Sequence, residues 1–492
     1  MDTRRIKVII SILLFSLAIN TPILAQNSLD SLLKTLPETC ASLMQQRGWP
    51  SLSIAIVLDQ KIIFSQSFGY ADVDKKTPAT TKTIYRVASM TKLFAATMLM
   101  QLAERGKVDL NDPLIKYIPV YNPKYLPNTG PTTLRQLATH TSGLHVDAAQ
   151  GFWHYFSNFQ WVVSKGKEKI VWGITKDDLL STLDKIEIEY TPNVYPHYSN
   201  FGYQLLGIAL ENAANEPFEK YIKANILNPL EMKDSDFSLT DEQQTRFAVG
   251  YTYLEPDFQR YLAPDWDLSI LKYSGGLYST PEDIARFISF QFRDGINGDP
   301  KILSGDGLRF MRTTQTLRNP QTDDSYGIGW AMYEYNGHPI IAHAGGHWGF
   351  SAKAEVLRDL KLGVVIMTNC NYPQGNIGPE KDLTRIIIDK IVPILEKKTE
   401  ETFDPRNVNL QKYSGRFGLP GEYAHANVYV KNDTLFFSLL EKPEFNVIIE
   451  PVGLHQFCFA VDPGKHPMFR FDADNSGNVV SLEFLEFRFK KQ

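Results

Sequence analysis

Three short segments carry residue types that could do chemistry together. In "ASMTKLF", Ser89 and Lys92 stand three apart. On a helix that spacing puts both on one face, a turn apart. A helix N-terminus adds positive potential at the serine, worth roughly 0.3–1 kcal/mol. A partly buried lysine has a depressed pKa and can take the hydroxyl proton, which makes a Ser–Lys nucleophile. The same spacing recurs at Ser31–Lys34, Ser164–Lys167 and Ser269–Lys272. Ser164 sits in "SKGKEK", which reads as a solvated loop; Ser31 reads as part of a surface helix; Ser269 has no apolar helix behind it. Only Ser89 has a strand-like run before it and an apolar helix after it. Alone, it reads equally well as a helix cap.

The second segment is Tyr198-Ser199-Asn200, in a turn before a helical run. A tyrosine near an ammonium ionises more easily and can serve as acid or base. An asparagine can bridge a substrate amide and the lysine. The plain alternative is a buried tyrosine followed by an Asn cap. The third segment is "PIIAHAGGHWGFSA". His343 ends an apolar run, and Gly345 and Gly346 leave room for a substrate backbone. The Gly346 N–H could serve an oxyanion. His347-Trp348-Gly349 is a rival His-x-Gly, less suited because of its bulky tryptophan. His343 and His347 as metal ligands lack a third partner at metal spacing, and no H-E-x-x-H occurs. No metal and no cofactor are expected.

These segments need elements to hold them. Residues 51–72 read as a hairpin turning at Asp59–Gln60. Residues 88–106 read as a helix with Leu93, Ala96, Met100 and Leu102 on its apolar side and Gly106 as its stop. Residues 110–235 read as mostly helix and loop, with two helices in 199–227. Thr280, Pro281, Glu282 and Asp283 mark a helix start. Strand patterns return at 326–335, 338–345, 352–359 and 361–369, followed by a helix over 382–398 and a charged linker over 396–407. A sheet assembled from both ends of this unit, with helices inserted between, is the implied fold. Beyond the linker, short strand-like runs with Asn, Asp and Gly turns predict a small β-sandwich or barrel.

In this order, S-x-x-K on a helix, Tyr-x-Asn before a later helix and His-x-Gly on a later strand, the chain resembles the serine β-lactamase and penicillin-binding protein superfamily. The class C-like branch, with its DD-peptidases, D-aminopeptidases, esterases and LACTB-type relatives, is the nearest in pattern. "LRQLATHTSGL", "NPLEMKDSDF" and "SGGLYSTPEDIARF" extend the resemblance over roughly residues 35–395. It implies an α/β (α+β) β-lactamase/transpeptidase-like fold, an antiparallel sheet flanked by helices with an insertion over about 110–320. The C-terminal part resembles the lipocalin-like domain of some relatives. The implied division is a leader over 1–25, a hydrolase domain over 26–398 and a β domain over 399–492. Ser89 would be the acylated nucleophile, Lys92 its proton acceptor and Tyr198 the acid/base. Asn200 would hold the substrate amide, with His343, Gly345 and Gly346 lining the substrate and the Ser89 and Gly346 N–H groups forming the oxyanion hole. His-Ala-Gly replaces the Lys-Thr-Gly of class C β-lactamases, so the permanent cation and the hydroxyl are missing. This favours peptide or ester substrates over β-lactams, and a histidine here predicts activity that varies with pH near neutrality. A slow β-lactamase and a non-catalytic scaffold are the alternatives. "HTSG", with His140 and Ser142, reads as a structural turn rather than a second nucleophile–base pair.

The bulk properties bound the partners. The chain has 492 residues and a formal net charge of −4, which gives no reason to expect nucleic acid. Neither a nucleotide-binding glycine pattern nor a G-x-S-x-G elbow is present. A basic start, the apolar run "VIISILLFSLAI" and Ala25 predict a signal peptide cleaved near Ala25, hence a periplasmic or extracellular protein with no membrane span left; an uncleaved membrane anchor is the alternative. Cys40, Cys370 and Cys458 are too few and scattered for a disulfide framework and are expected as buried thiols. The aromatic run 151–161 reads as a pocket wall or as core.

Overall fold

The structure, a computed structural model, describes residues 28–146, 159–164, 167–172, 175–254, 259–263, 265–267, 269–293, 301–319, 325–347, 349–371, 380–402, 405–418, 425–440, 442–453, 455–460, 469–473, 478–484 and 487–492. The leader expected over 1–25 lies outside these residues, as do residues 151–158 of the aromatic run. Two compact units divide the chain: residues 36–388, and residues 1–35 together with 389–492.

The larger unit is built on an eight-stranded antiparallel sheet. Its strands are Ser51–Leu58 (β1), Lys61–Asp72 (β2), Thr77–Pro78 (β3), Ser325–Tyr326 (β4), Ala331–Tyr335 (β5), His338–His347 (β6), Phe350–Leu357 (β7) and Leu362–Thr368 (β8). They lie in the order β4-β5-β6-β7-β8-β1-β2-β3, so β1 pairs with both β2 and the late strand β8. The hairpin turns at Asp59, which adopts φ +52°. The run read as one strand over 326–335 is broken. Gly327 has no room for a side chain beneath the Met311 carbonyl, and Gly329 turns left-handed to donate its N–H to the Ala138 carbonyl at 3.1 Å.

The principal helices are Thr91–Glu104 (α1), Asn200–Ala214 (α2), Pro281–Gln291 (α3) and Glu380–Thr402 (α4). α1 differs from its expected one-sided pattern: residues 91–102 are all buried. It shares one core with strands of the sheet and with the other helices, so residues 91–102 present no face to water. α3 begins as its sequence indicates, with Thr280 accepting the Asp283 N–H and Pro281 at the first turn. It lies close to the sheet, because a side chain at Gly363 would strike Ile288. Ala352, Ala354 and Val356 of β7 join the core with α1. The alternate residue Glu355 points to the other face, where Lys353 and Arg385 of α4 hold it at 2.7 and 3.1 Å.

Two local expectations need correction. Ser164 and Lys167, read as part of a solvated loop, end paired antiparallel strands, Phe159–Ser164 with Lys167–Trp172. The alternating residues on either side supply the strand signal that the charges of "SKGKEK" obscure. The linker expected over 396–407 is helical to Thr402, since its glutamates and lysines are good helix formers.

In the second unit, eight antiparallel strands between Gly415 and Lys491 close into a barrel, with Phe417 of the first paired to Lys491 of the last. Aromatic side chains fill its interior. The rings of Phe437, Phe469 and Phe484 lie 4.6–4.9 Å apart. All three cysteines are buried thiols that form no disulfide with one another. Among the described residues, no helix is long and apolar enough to cross a membrane, and no cluster of His, Cys, Asp or Glu could hold a metal ion.

Candidate active site

Ser89 sits in a single 3₁₀ turn, Ala88–Met90, that leads into α1. Ala88 adopts φ +46°, a left-handed conformation that costs a side-chain-bearing residue about 1–3 kcal/mol. The surroundings hold it there. The Thr91 hydroxyl donates to the Ala88 carbonyl at 2.7 Å and accepts the Leu277 N–H at 3.1 Å, while the Val87 N–H donates to the Leu277 carbonyl at 3.1 Å. The turn places Ser89 at the head of α1, with Lys92 one turn below.

Lys92 is fully buried and its ammonium has three acceptors: Ser89 Oγ at 3.0 Å, Asn200 Oδ1 at 2.8 Å and the Ser274 carbonyl at 3.0 Å. Two aromatic faces also lie against it, Tyr198 at 4.9 Å and Tyr203 at 5.7 Å from Nζ to ring centroid. The structure therefore brings Ser89, Lys92, Tyr198 and Asn200 together from segments more than a hundred residues apart. Asn200 is free for this contact because Ser199, not Asn200, caps α2: its hydroxyl oxygen accepts the Gly202 N–H at 2.8 Å. Tyr203 has its own task. Its hydroxyl donates to the Ala138 carbonyl at 2.8 Å, and burial pushes its phenol well above the ordinary range.

β6 forms the third wall. His343, Gly345 and His347 alternate onto the face that meets the Ser89 turn. A side chain at Gly345 would lie 2.0 Å from the Val87 carbonyl oxygen and 3.0 Å from the Ser89 amide nitrogen, so this glycine's small size serves contact with the turn. Gly346, by contrast, is exposed and borders open space. His343 is buried. Its Nδ1 donates to its neighbour's carbonyl, Ala344 O, at 2.7 Å, which leaves Nε2 as an acceptor without a protein partner. Burial pushes this imidazole down to about 3, the Lys92 charge adds to the effect, and the Ala344 hydrogen bond opposes it. The expectation that His343 titrates near neutrality is thereby overturned: desolvation beside a cation keeps it neutral across pH 5–8. His347 faces Arg86 rather than a metal-binding partner, and burial with that guanidinium pushes it down likewise.

Two contributors were not read from the sequence as part of the site. The Ser274 carbonyl acts through backbone, which no side-chain motif reveals, although it lies within "SGGLYS". Gly207 of α2 lets Tyr273, its neighbour, pack in close, since a side chain there would lie 2.5 Å from that ring. The other contributor is His140. Its Nδ1 accepts the Ser199 N–H at 3.0 Å and its ring lies 4.4 Å from that of Tyr198. Ser142 instead accepts the Leu144 N–H within the turn, so "HTSG" is a turn and not a nucleophile–base pair.

Comparison with known proteins gives this geometry a context. The family model described as Beta-lactamase matches residues 36–385. Protein flp of Staphylococcus aureus (strain NCTC 8325 / PS 47) is 27% identical over 335 residues, which cover 67% of this chain and 61% of that protein. Beta-lactamase-like protein 2 of Dictyostelium discoideum is 27% identical over 377 residues, 75% of this chain and 64% of its own length. The chain thus covers less than two thirds of each of these curated relatives. Among solved structures, the octameric penicillin-binding protein homologue from Pyrococcus abyssi superposes with a TM-score of 0.60 at 25% identity, over 93% of this chain and 99% of that one. A beta-lactamase/D-alanine carboxypeptidase from Yersinia pestis, solved with citrate, shares the fold, with a TM-score of 0.54 at 24% identity over 71% of this chain and 95% of its own.

Proposed function

The chain belongs to the beta-lactamase family, and on that premise we propose that it is an exported serine hydrolase working through an acyl-Ser89 intermediate. The observation that carries this reading is the Lys92 Nζ, 3.0 Å from Ser89 Oγ and held at the same time by Asn200 and Ser274. As a neutral amine, Lys92 would keep two N–H bonds to those acceptors and turn its lone pair to the serine hydroxyl. The Ser89 proton then passes to Lys92 as Oγ attacks the substrate carbonyl. The N–H groups of Ser89 and Gly346 take the oxyanion, Tyr198 gives its proton to the leaving group and recovers one from Lys92, and a water then attacks the acyl carbonyl, its proton passing through the same groups back to Ser89 Oγ. No metal or organic cofactor has a role in this scheme.

The substrate reading rests on His343. A permanent cation at this position would attract a substrate carboxylate. A neutral imidazole whose buried Nε2 keeps an unpartnered lone pair gives a carboxylate nothing, and favours a hydrogen-bond donor such as an amide N–H. Uncharged carboxylic esters and amides, including small D-residue peptides and cell-wall fragments, are therefore preferred to β-lactams and to peptides cleaved next to a free carboxylate. A fluorophosphonate probe should label wild type at Ser89 and leave Ser89→Ala unlabelled. Benzylpenicillin should acylate Ser89 at least about tenfold more slowly than its carboxamide, a difference within reach of one buried hydrogen bond. Absence of labelling in wild type would remove the nucleophile, and equal acylation rates would remove the substrate preference.

A further inference from the structure

The segment that carries Tyr198 into α2 has no regular structure before Asn200, and residues 140–146 hold it. The His140 carbonyl accepts the His197 N–H at 2.7 Å, the Ser199 hydroxyl donates to the His145 carbonyl at 2.7 Å, and the Asn200 N–H donates to the Val146 carbonyl at 2.7 Å. The contact nearest the chemistry is made by a side chain. Ser199 N–H, the amide between Tyr198 and Asn200, donates to His140 Nδ1 at 3.0 Å. Because an N–H can only donate, Nδ1 carries the lone pair and the ring proton is on Nε2. The same imidazole lies against Tyr198 at 4.4 Å, with Tyr203 and Tyr326 at 5.1 and 5.0 Å on its other sides. His140 is buried and itself adopts φ +59°. A residue that only filled space would need neither the left-handed backbone nor a lone pair aimed at one amide.

We propose that His140 is a positioning residue: its neutral imidazole fixes the Tyr198 ring through face contact and the Tyr198–Asn200 backbone through the Ser199 N–H, setting both groups against Lys92. This rests on the reading of Ser89, Lys92 and Tyr198 as the reacting groups. A second proton would have to enter at Nδ1, against the Ser199 N–H. The titratable groups around the ring are Lys92, His343, Tyr198, Tyr203 and Tyr326, and burial with the first two disfavours a further positive charge.

The test compares two substitutions, assayed by p-nitrophenyl acetate turnover and by thermal melting. His140→Phe keeps a ring against Tyr198 but removes the acceptor. His140→Asn places Oδ1 where Nδ1 was, and asparagine tolerates left-handed φ. His140→Phe should lose about 10- to 100-fold in kcat, the scale of an ångström-level misplacement, with KM changed less than about threefold. His140→Asn should recover kcat to within about fivefold of wild type. Wild-type kcat in His140→Phe, or a His140→Asn as slow as His140→Phe, would overturn the role. Nitrogen-15 imidazole NMR on wild type supplies a reading that no folding defect can mask: one histidine should stay in the Nε2–H form from pH 5 to 9 and lose its assignment in His140→Asn. An Nδ1–H form or titration in that range would equally overturn it. If wild type turns over no ester and Ser89 takes no phosphonate, the nucleophile reading has failed instead.

Discussion

Gly345→Ala offers a sharp test of how the site is held together. The added methyl would stand 2.0 Å from the Val87 carbonyl oxygen and 3.0 Å from the Ser89 nitrogen. Carbon and oxygen approach comfortably only to about 3.3 Å, so β6 and the Ser89 turn must part by roughly 1.3 Å. Neither side yields easily. β6 is hydrogen-bonded in the sheet between β5 and β7, and the turn is bonded to Leu277 and Thr91. Overpacking of this kind costs about 1–3 kcal/mol of stability, which the folded unit should survive. An ångström of misplacement costs on the order of 100-fold in rate, equivalent to about 2.7 kcal/mol of transition-state stabilisation. The assay is kcat/KM for p-nitrophenyl acetate with the fluorophosphonate labelling rate of Ser89, each expected to fall about 100-fold. Melting curves provide the contrast, since Gly346→Ala adds its methyl to open space and should melt within about 1 °C of wild type. If Gly345→Ala keeps kcat/KM within about threefold of wild type, the close approach of β6 to Ser89 does not set the catalytic geometry.

Lys92→Met should lower kcat/KM about 10³-fold, within the span for a positioned proton-transfer group, because Ser89 Oγ, Asn200 Oδ1 and Ser274 O lose their common donor. Acid should destabilise the larger unit early. His140 and His343 are held neutral when folded, so their contribution is complete above the unfolded histidine value near 6.5 and is lost as pH falls toward their lower folded values. The expected slope is up to about 1.4 kcal/mol per pH unit for each, read from urea unfolding between pH 6.5 and 4; stability that is constant over that range would refute it. Asp283 titrates in the opposite sense. Burial pushes its carboxyl up to about 6, so the folded state gives up stability as pH rises from the unfolded value near 4 through 6. Asp283→Asn should therefore raise the melting temperature more at pH 8 than at pH 5, by the equivalent of about 1.4 kcal/mol, the one pH unit between 5 and the folded value.

Sequence by itself determined what is local or tied to one residue type. Thr280-Pro281-Glu282-Asp283 starts α3 because capping needs only neighbours. The 51–72 hairpin and the alternating C-terminal strands follow from a period of two. The spacing of Ser89 and Lys92 made sense on any helix that began there. Tertiary structure decided what depends on distance and dielectric. Only folding shows that Lys92 is shared among Ser89, Asn200 and Ser274, for a backbone carbonyl has no letter in the sequence. Only folding converts His140 from one residue of a turn into the partner of Ser199 and Tyr198. The same holds for His343, whose letter implies titration near neutral pH. Burial beside Lys92 removes the water its cation would need, and so the residue that looked like a pH sensor is a fixed, neutral acceptor.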